Sequence, residues 1–167
     1  PAFFETTWFL ERGNARLKDH EVTPGFLDVL TSLDTYAKRE RDGEKGNKGA
    51  PTYRRAALAN WISDHDHGAG ALLARVIVNR LWQHHFGRGI VTTPNDFGQR
   101  GARPSHPELL EWLAVELIRN GWRLKPLHRS ILLSSAWQQA TLAAPRTKVD
   151  DALFRGHRVR RLEAESI

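Results

Sequence analysis

From residue 53 onward, apolar residues recur at helical rather than alternating spacing, in blocks at 53–63, 69–86, 105–120 and 126–140, with a fifth beginning near 160. Blocks of this length joined by short connections can bury their apolar faces together most simply as a compact helical bundle. The chain is therefore expected to be mainly α, with four to five helices. Residues 3–12, FFETTWFLER, are aromatic and rich in β-favouring types, and predict a short extended or strand segment ahead of the bundle.

Between the two lies KRERDGEKGNKGAPT at 38–52, which has no large apolar residue and four Gly or Pro breakers among its charges. Such a stretch reads as a solvated linker or long loop. The expected organisation is an extended segment at 1–37, a charged Gly-rich linker at 38–52, a helical domain at 53–144, and a connector at 145–167 that leads into a further helix.

Angular position separates core from surface along each helix. In 69–86, Ala71, Ala74, Ile77, Val78, Leu81 and Trp82 share one arc, while Arg75, Asn79, Arg80, Gln83 and His84 fall across the other. His85 lands within the apolar arc and is expected to be a hydrogen-bonded core histidine. Adjacent His84 points elsewhere, so one metal ion cannot easily take both from a straight helix. Gly87 and Gly89, flanking Arg88, supply the backbone freedom to end this helix.

The next helix shows a capping box: Ser105 at the N-cap, Pro107 in the first turn and Glu108 three residues after the serine. Leu109, Leu110, Leu113, Ala114, Leu117 and Ile118 form its core face. Trp112 and Val115 lie opposite, which predicts an apolar contact with a neighbouring domain. A turn at Asn120-Gly121-Trp122 leads into 126–140, which is apolar on nearly all sides and is expected to be the central helix, with His128, Ser135 and Gln139 as a polar stripe that suits a buried network at least as well as a site. The core is expected to contain Trp82, Leu113, Ile131 and Leu132.

Candidate site residues concentrate around TPNDFGQRGARP at 93–104, the least regular stretch of the central region. Arg88 and Arg100, with the backbone N–H groups and dipole at the start of the following helix, suit an anionic or polyhydroxyl ligand. His84 and His106 border the same stretch, and Asp96 is placed to orient either of them. The simpler structural reading is that Asp96 caps a turn or pairs with Arg88 to pin the loop. DHDH at 64–67 is the one string with metal-ligand character, but a four-residue loop offers poor geometry alone, and no metal is assigned to it.

Taken in order, NRLWQHHFGRGIV, TPNDFG, PSHPELLEWLA and GWRLKPLHRSILLS between Asn79 and Ser134 resemble the domain-of-unknown-function family 1553, a module of large planctomycete-type proteins. ERGN at 11–14, EVTPGFL at 21–27 and RRLEAESI at 160–167 are similar to its flanking segments. The resemblance implies a place in a larger extracytoplasmic protein, periplasmic or at the cell surface, downstream of c-type cytochrome-like domains. The other domains of that protein, cytochrome c-like ones among them, are then the expected partners. It implies no catalytic residue, because the family has no established activity.

Composition narrows the classes further. The chain contains no Cys, which excludes disulfides, a thiolate nucleophile, covalent haem attachment and Cys-based metal sites within it. No cofactor is expected. No apolar run approaches the length of a membrane span. The lack of Met and the start of a helical pattern at the final residues suggest a piece of a longer protein. The net charge of +6 is concentrated at 53–146, where 12 Lys and Arg face 6 Asp and Glu, so weak polyanion binding is expected. Three functional classes follow: a structural or interaction module; a hydrolase-like or carbohydrate-acting module in which His84, His106, His128 and Asp96 converge; and a helix-turn-helix-like nucleic-acid binder. The last is disfavoured because 126–140 offers only Arg129 as a basic contact, so no specific nucleic acid is expected.

Overall fold

A computed structural model describes residues 7–22, 25–30, 54–141 and 147–156. The chain divides into two compact units, Pro1–Trp61 and Ile62–Ile167. The expected linker at 38–52 and the helix expected near 160 lie outside the described residues.

In the first unit, strand β1 (Trp8–Leu10) pairs antiparallel with β2 (Lys18–Glu21), with Trp8 opposite Glu21, Leu10 opposite Lys18 and an irregularity between them. The connecting turn needs positive φ at Arg12 and Gly13, and the Asn14 side chain accepts the Arg16 N–H at 3.0 Å to close it. Helix α1 (Arg54–Ser63) carries Trp61, which is buried and stacks on Phe26 at 5.1 Å.

The second unit is helical: α2 (Gly70–Phe86), α3 (Pro107–Arg119), α4 (Leu124–Leu132) and the short α5 (Lys148–Ala152). The fold is mainly α with a short two-stranded segment. Ala74, Val78 and Trp82 of α2 pack with Leu110, Leu113, Ala114 and Leu117 of α3, Leu127 and Ile131 of α4, and Phe154. Ile90 and Val91, from the connection between α2 and α3, are also buried. Helices α2 and α3 therefore turn apolar stripes inward, with Trp112 left 53% exposed on the outer side of α3.

The α3–α4 turn follows from Gly121. Its φ of 61° lets its N–H reach the Ile118 carbonyl, while Trp122 N–H reaches the Leu117 carbonyl, so the last carbonyls of α3 are satisfied. Trp122 packs against the core beside this closure, itself at a positive φ of 61°.

Three expectations about the helices are corrected. Asn79 is not on the solvent side; it is wholly buried, because the chain after α2 folds back over it. Ser105 does not cap α3, which starts one residue later than a capping box requires. His106 holds the N-cap position without a side-chain cap, while the Ser105 hydroxyl and N–H both reach the Ile90 carbonyl. The helix expected at 126–140 ends at Leu132, and Leu132 and Leu133 are exposed rather than central. Ser134 explains the stop: its hydroxyl donates to the Ile131 carbonyl at 2.6 Å, and its own carbonyl accepts from Trp137, which turns the chain.

Candidate functional site

The connection between α2 and α3 is built on Asn79. Its Nδ2 donates to the Val91 carbonyl at 3.0 Å, and its Oδ1 accepts the Val91 N–H at 2.8 Å, so one side chain satisfies both backbone groups of a buried residue. This approach leaves no room for a side chain at residue 89. A Cβ there would lie 2.5 Å from the Val91 carbonyl oxygen and 2.8 Å from Asn79 Nδ2.

The irregular loop is pinned from within. Thr93 Oγ1 donates to the Asp96 carbonyl and accepts the Ala102 N–H, each at 2.9 Å. Asp96 Oδ1 accepts the Gly98 N–H at 3.2 Å. Gly101 packs so closely on the Asp96 carbonyl that a Cβ would sit 2.0 Å from its oxygen. Asp96 is thus a turn-forming residue, and no ion pair joins it to Arg88 among the described residues.

Two open grooves flank this loop. The larger, about 570 Å³, is lined by Phe97, Gly98, Ala102, Arg103 and Pro104 of the loop, with Leu72 and Arg75 of α2 and Leu110 and Glu111 of α3. Arg75 grips Glu111 with both carboxylate oxygens, Nε to Oε2 at 2.8 Å and Nη2 to Oε1 at 3.0 Å, which ties α2 to α3 at its edge. The smaller, about 350 Å³, lies between Arg80, Gln83, His84 and Gly87 of the α2 end and Pro94 and Asn95 of the loop.

His84 is exposed and lines the smaller groove. Arg88 is half-buried between the two glycines, and Arg100 is exposed on the loop. His106 is half-buried, its Nδ1 3.0 Å from the Ser105 hydroxyl and its ring against Phe154 at 5.7 Å. His128 faces His85, with Nε2 of His85 2.8 Å from Nδ1 of His128. His85 is hydrogen-bonded and half-buried, as its place on the apolar arc of α2 leads one to expect. Desolvation lowers its pKa from the ordinary 6.5, and the neighbouring imidazoles of His128 and His84 lower it further. The hydrogen bond requires one imidazole to donate and the other to accept, which suits a pair carrying at most one positive charge.

Sequence reasoning missed the His85–His128 pair, the Asn79 clamp, the Arg75–Glu111 bridge and Arg80. The first two join positions 43 and 12 residues apart, for which a single chain gives no spacing signal. At 64–67, Asp64 Oδ1 accepts the N–H groups of Asp66 and His67 at 2.9 and 3.0 Å, forming the turn that leads into α2. Asp64, Asp66 and His67 can each offer one ligand atom within 4.8 Å of the others, although Asp66 and His67 are exposed.

These features define a small helical domain whose signature residues build and pin one interhelical loop between two open grooves. The chain belongs to the family described as PSD1, protein of unknown function (DUF1553), whose model matches residues 54–167. The match leaves the ERGN and EVTPGFL segments outside it. No curated protein and no solved structure matches the chain.

Proposed function

We propose that this chain is a non-catalytic interaction module of a larger extracytoplasmic protein, making contact with that protein's other domains, c-type cytochrome-like domains among them. The observation that carries this reading is the use made of the motif residues. Asn79, Thr93, Asp96 and Ser105 each bond to backbone in the loop connecting α2 and α3, and Gly89 and Gly101 make the close approaches possible. Residues used in this way fix the shape of a surface, and the Ser105 hydroxyl beside His106 is itself committed to the Ile90 carbonyl.

Trp112 supports the same reading. It is 53% exposed on a helix whose other face is buried, and exposed tryptophan is a typical anchor of interdomain contacts. The larger groove, with its apolar wall of Phe97, Ala102 and Pro104, adds a concave surface on the same unit.

Amide hydrogen exchange on the isolated chain and on the parent protein tests the proposal. Residues 97–104 and 108–115 are expected to exchange about tenfold more slowly in the parent, with Trp112→Ala reversing the effect around α3. Equal exchange in both contexts would reject an interdomain role. Turnover of chromogenic ester or glycoside substrates that disappears with His84→Ala would establish the hydrolase alternative in its place.

A further inference from the structure

Helix α2 carries two outward arginines that the fold treats differently. Arg75 is neutralised by the two-oxygen grip on Glu111. Arg80 meets no acid among the described residues; its Nη2 donates to the neutral Asn95 Oδ1 at 3.2 Å. An amide acceptor orients a guanidinium without cancelling its charge, which leaves the remaining N–H donors for an oxyanion. Arg80 and Asn95 line the smaller groove, about 350 Å³, together with Gln83, His84, Gly87 and Pro94.

The rest of the lining specifies what accompanies the acid. The side-chain amides of Gln83 and Asn95 both donate and accept, which matches hydroxyl groups. The groove sits at the C-terminal end of α2, where the Gly87 N–H takes the Gln83 carbonyl and the carbonyls of the last turn lack intrahelical partners. That end of the helix dipole favours donors and opposes anions. A bare anion therefore fits badly there, whereas hydroxyls fit the helix end and an acid fits Arg80, about two turns back. Pro94 supplies a small apolar wall for C–H groups, and no Phe, Tyr or Trp lines the groove to stack a nucleobase.

We propose that this groove binds an acidic sugar unit, its carboxylate or sulfate paired with Arg80 and its hydroxyls held by Gln83, Asn95 and the carbonyls ending α2. The site is distinct from the larger groove and from Trp112, so it stands or falls apart from the interdomain reading.

Titration of the isotope-labelled chain with glucuronate, glucose 6-sulfate, glucose and inorganic sulfate, followed by backbone amide shifts, tests it. Glucuronate or glucose 6-sulfate is expected to shift residues 83–87 and 95–96, and the tighter of the two identifies the acid. Glucose and inorganic sulfate are expected to bind at least about tenfold more weakly than that ligand. Arg80→Gln should weaken it about tenfold, while Arg103→Gln, on the other groove, should leave it unchanged. Both arginines are exposed, and the same spectra report whether each variant is folded. The proposal is overturned if glucose or inorganic sulfate matches the acidic sugars, if Arg80→Gln binds like the parent, or if no probe shifts these residues.

Discussion

His85 shows how a single side chain sets a pH limit on this fold. Its ring is half-buried, edge-on to Trp137 at 5.2 Å and hydrogen-bonded to His128. A second proton on the pair would place two like charges at hydrogen-bond distance and remove the acceptor. Desolvation, then the His128 and His84 imidazoles, hold the folded-state pKa of His85 below 6.5. Above that pH the residue is neutral in both folded and unfolded chains and contributes no pH dependence. As pH falls below it, the unfolded chain binds a proton that the folded chain resists, so stability declines until the lower, folded-state pKa is passed and then levels off. Thermal melts between pH 8 and pH 5 should show this decline in the parent and a shallower one in His85→Gln. Identical slopes would mean that burial of His85 does not set the pH dependence.

At the scale of elements, helix faces and the ends marked by Gly87 and Gly121 were legible in the sequence, whereas the start of α3 and the end of α4 were not. The core stripe of α3 follows from periodicity alone, since burial of Leu110, Leu113, Ala114 and Leu117 is a local consequence of which face points inward. The end of α4 depends on Ser134, whose hydroxyl reaches the Ile131 carbonyl, and neither Gly nor Pro announces it. Asn79 eluded the same reasoning because its burial comes from the loop that folds onto it, not from α2 itself. For the candidate site, spacing along the chain does not say which groups meet: His85 bonds His128 across 43 residues, while His84 lines the smaller groove. Ile131 and Leu132 provide a direct check on which face of α4 meets the core, being adjacent, similar in size, and 3% and 40% exposed. Ile131→Ala should destabilise by about 2–5 kcal/mol, the range for emptying a core site, whereas Leu132→Ala should cost well under half as much. Equal losses in denaturant melts would return Leu132 to the core.

At the scale of the molecule, the positive charge of the described residues is dispersed over elements and is not drawn into one stripe. Arg80 and Arg88 lie at the end of α2, Arg100 and Arg103 on the loop, Arg119 at the end of α3, and Lys125 and Arg129 on α4, none of them in an ion pair among the described residues. Only Leu127 and Ile131 of α4 are buried, so its basic residues alternate with exposed Leu124, Leu132 and Leu133, which read no base edges. A polyanion can meet a few of these cations at once but cannot be held in register by them. Binding to duplex DNA should therefore be weak, fall steeply between 50 and 200 mM salt, and be indifferent to base sequence. Because no single arginine dominates such contacts, Arg80→Gln should change DNA affinity by less than about twofold while weakening the acidic sugar about tenfold. Fluorescence anisotropy with two unrelated duplexes at both salt concentrations measures the first effect. Persistent binding at 200 mM with a clear preference for one duplex would restore the helix-turn-helix reading of α3 and α4. Indifference to sequence together with loss at high salt would confine the polyanion response to general charge and leave the Arg80 groove as a separate, chemically selective site.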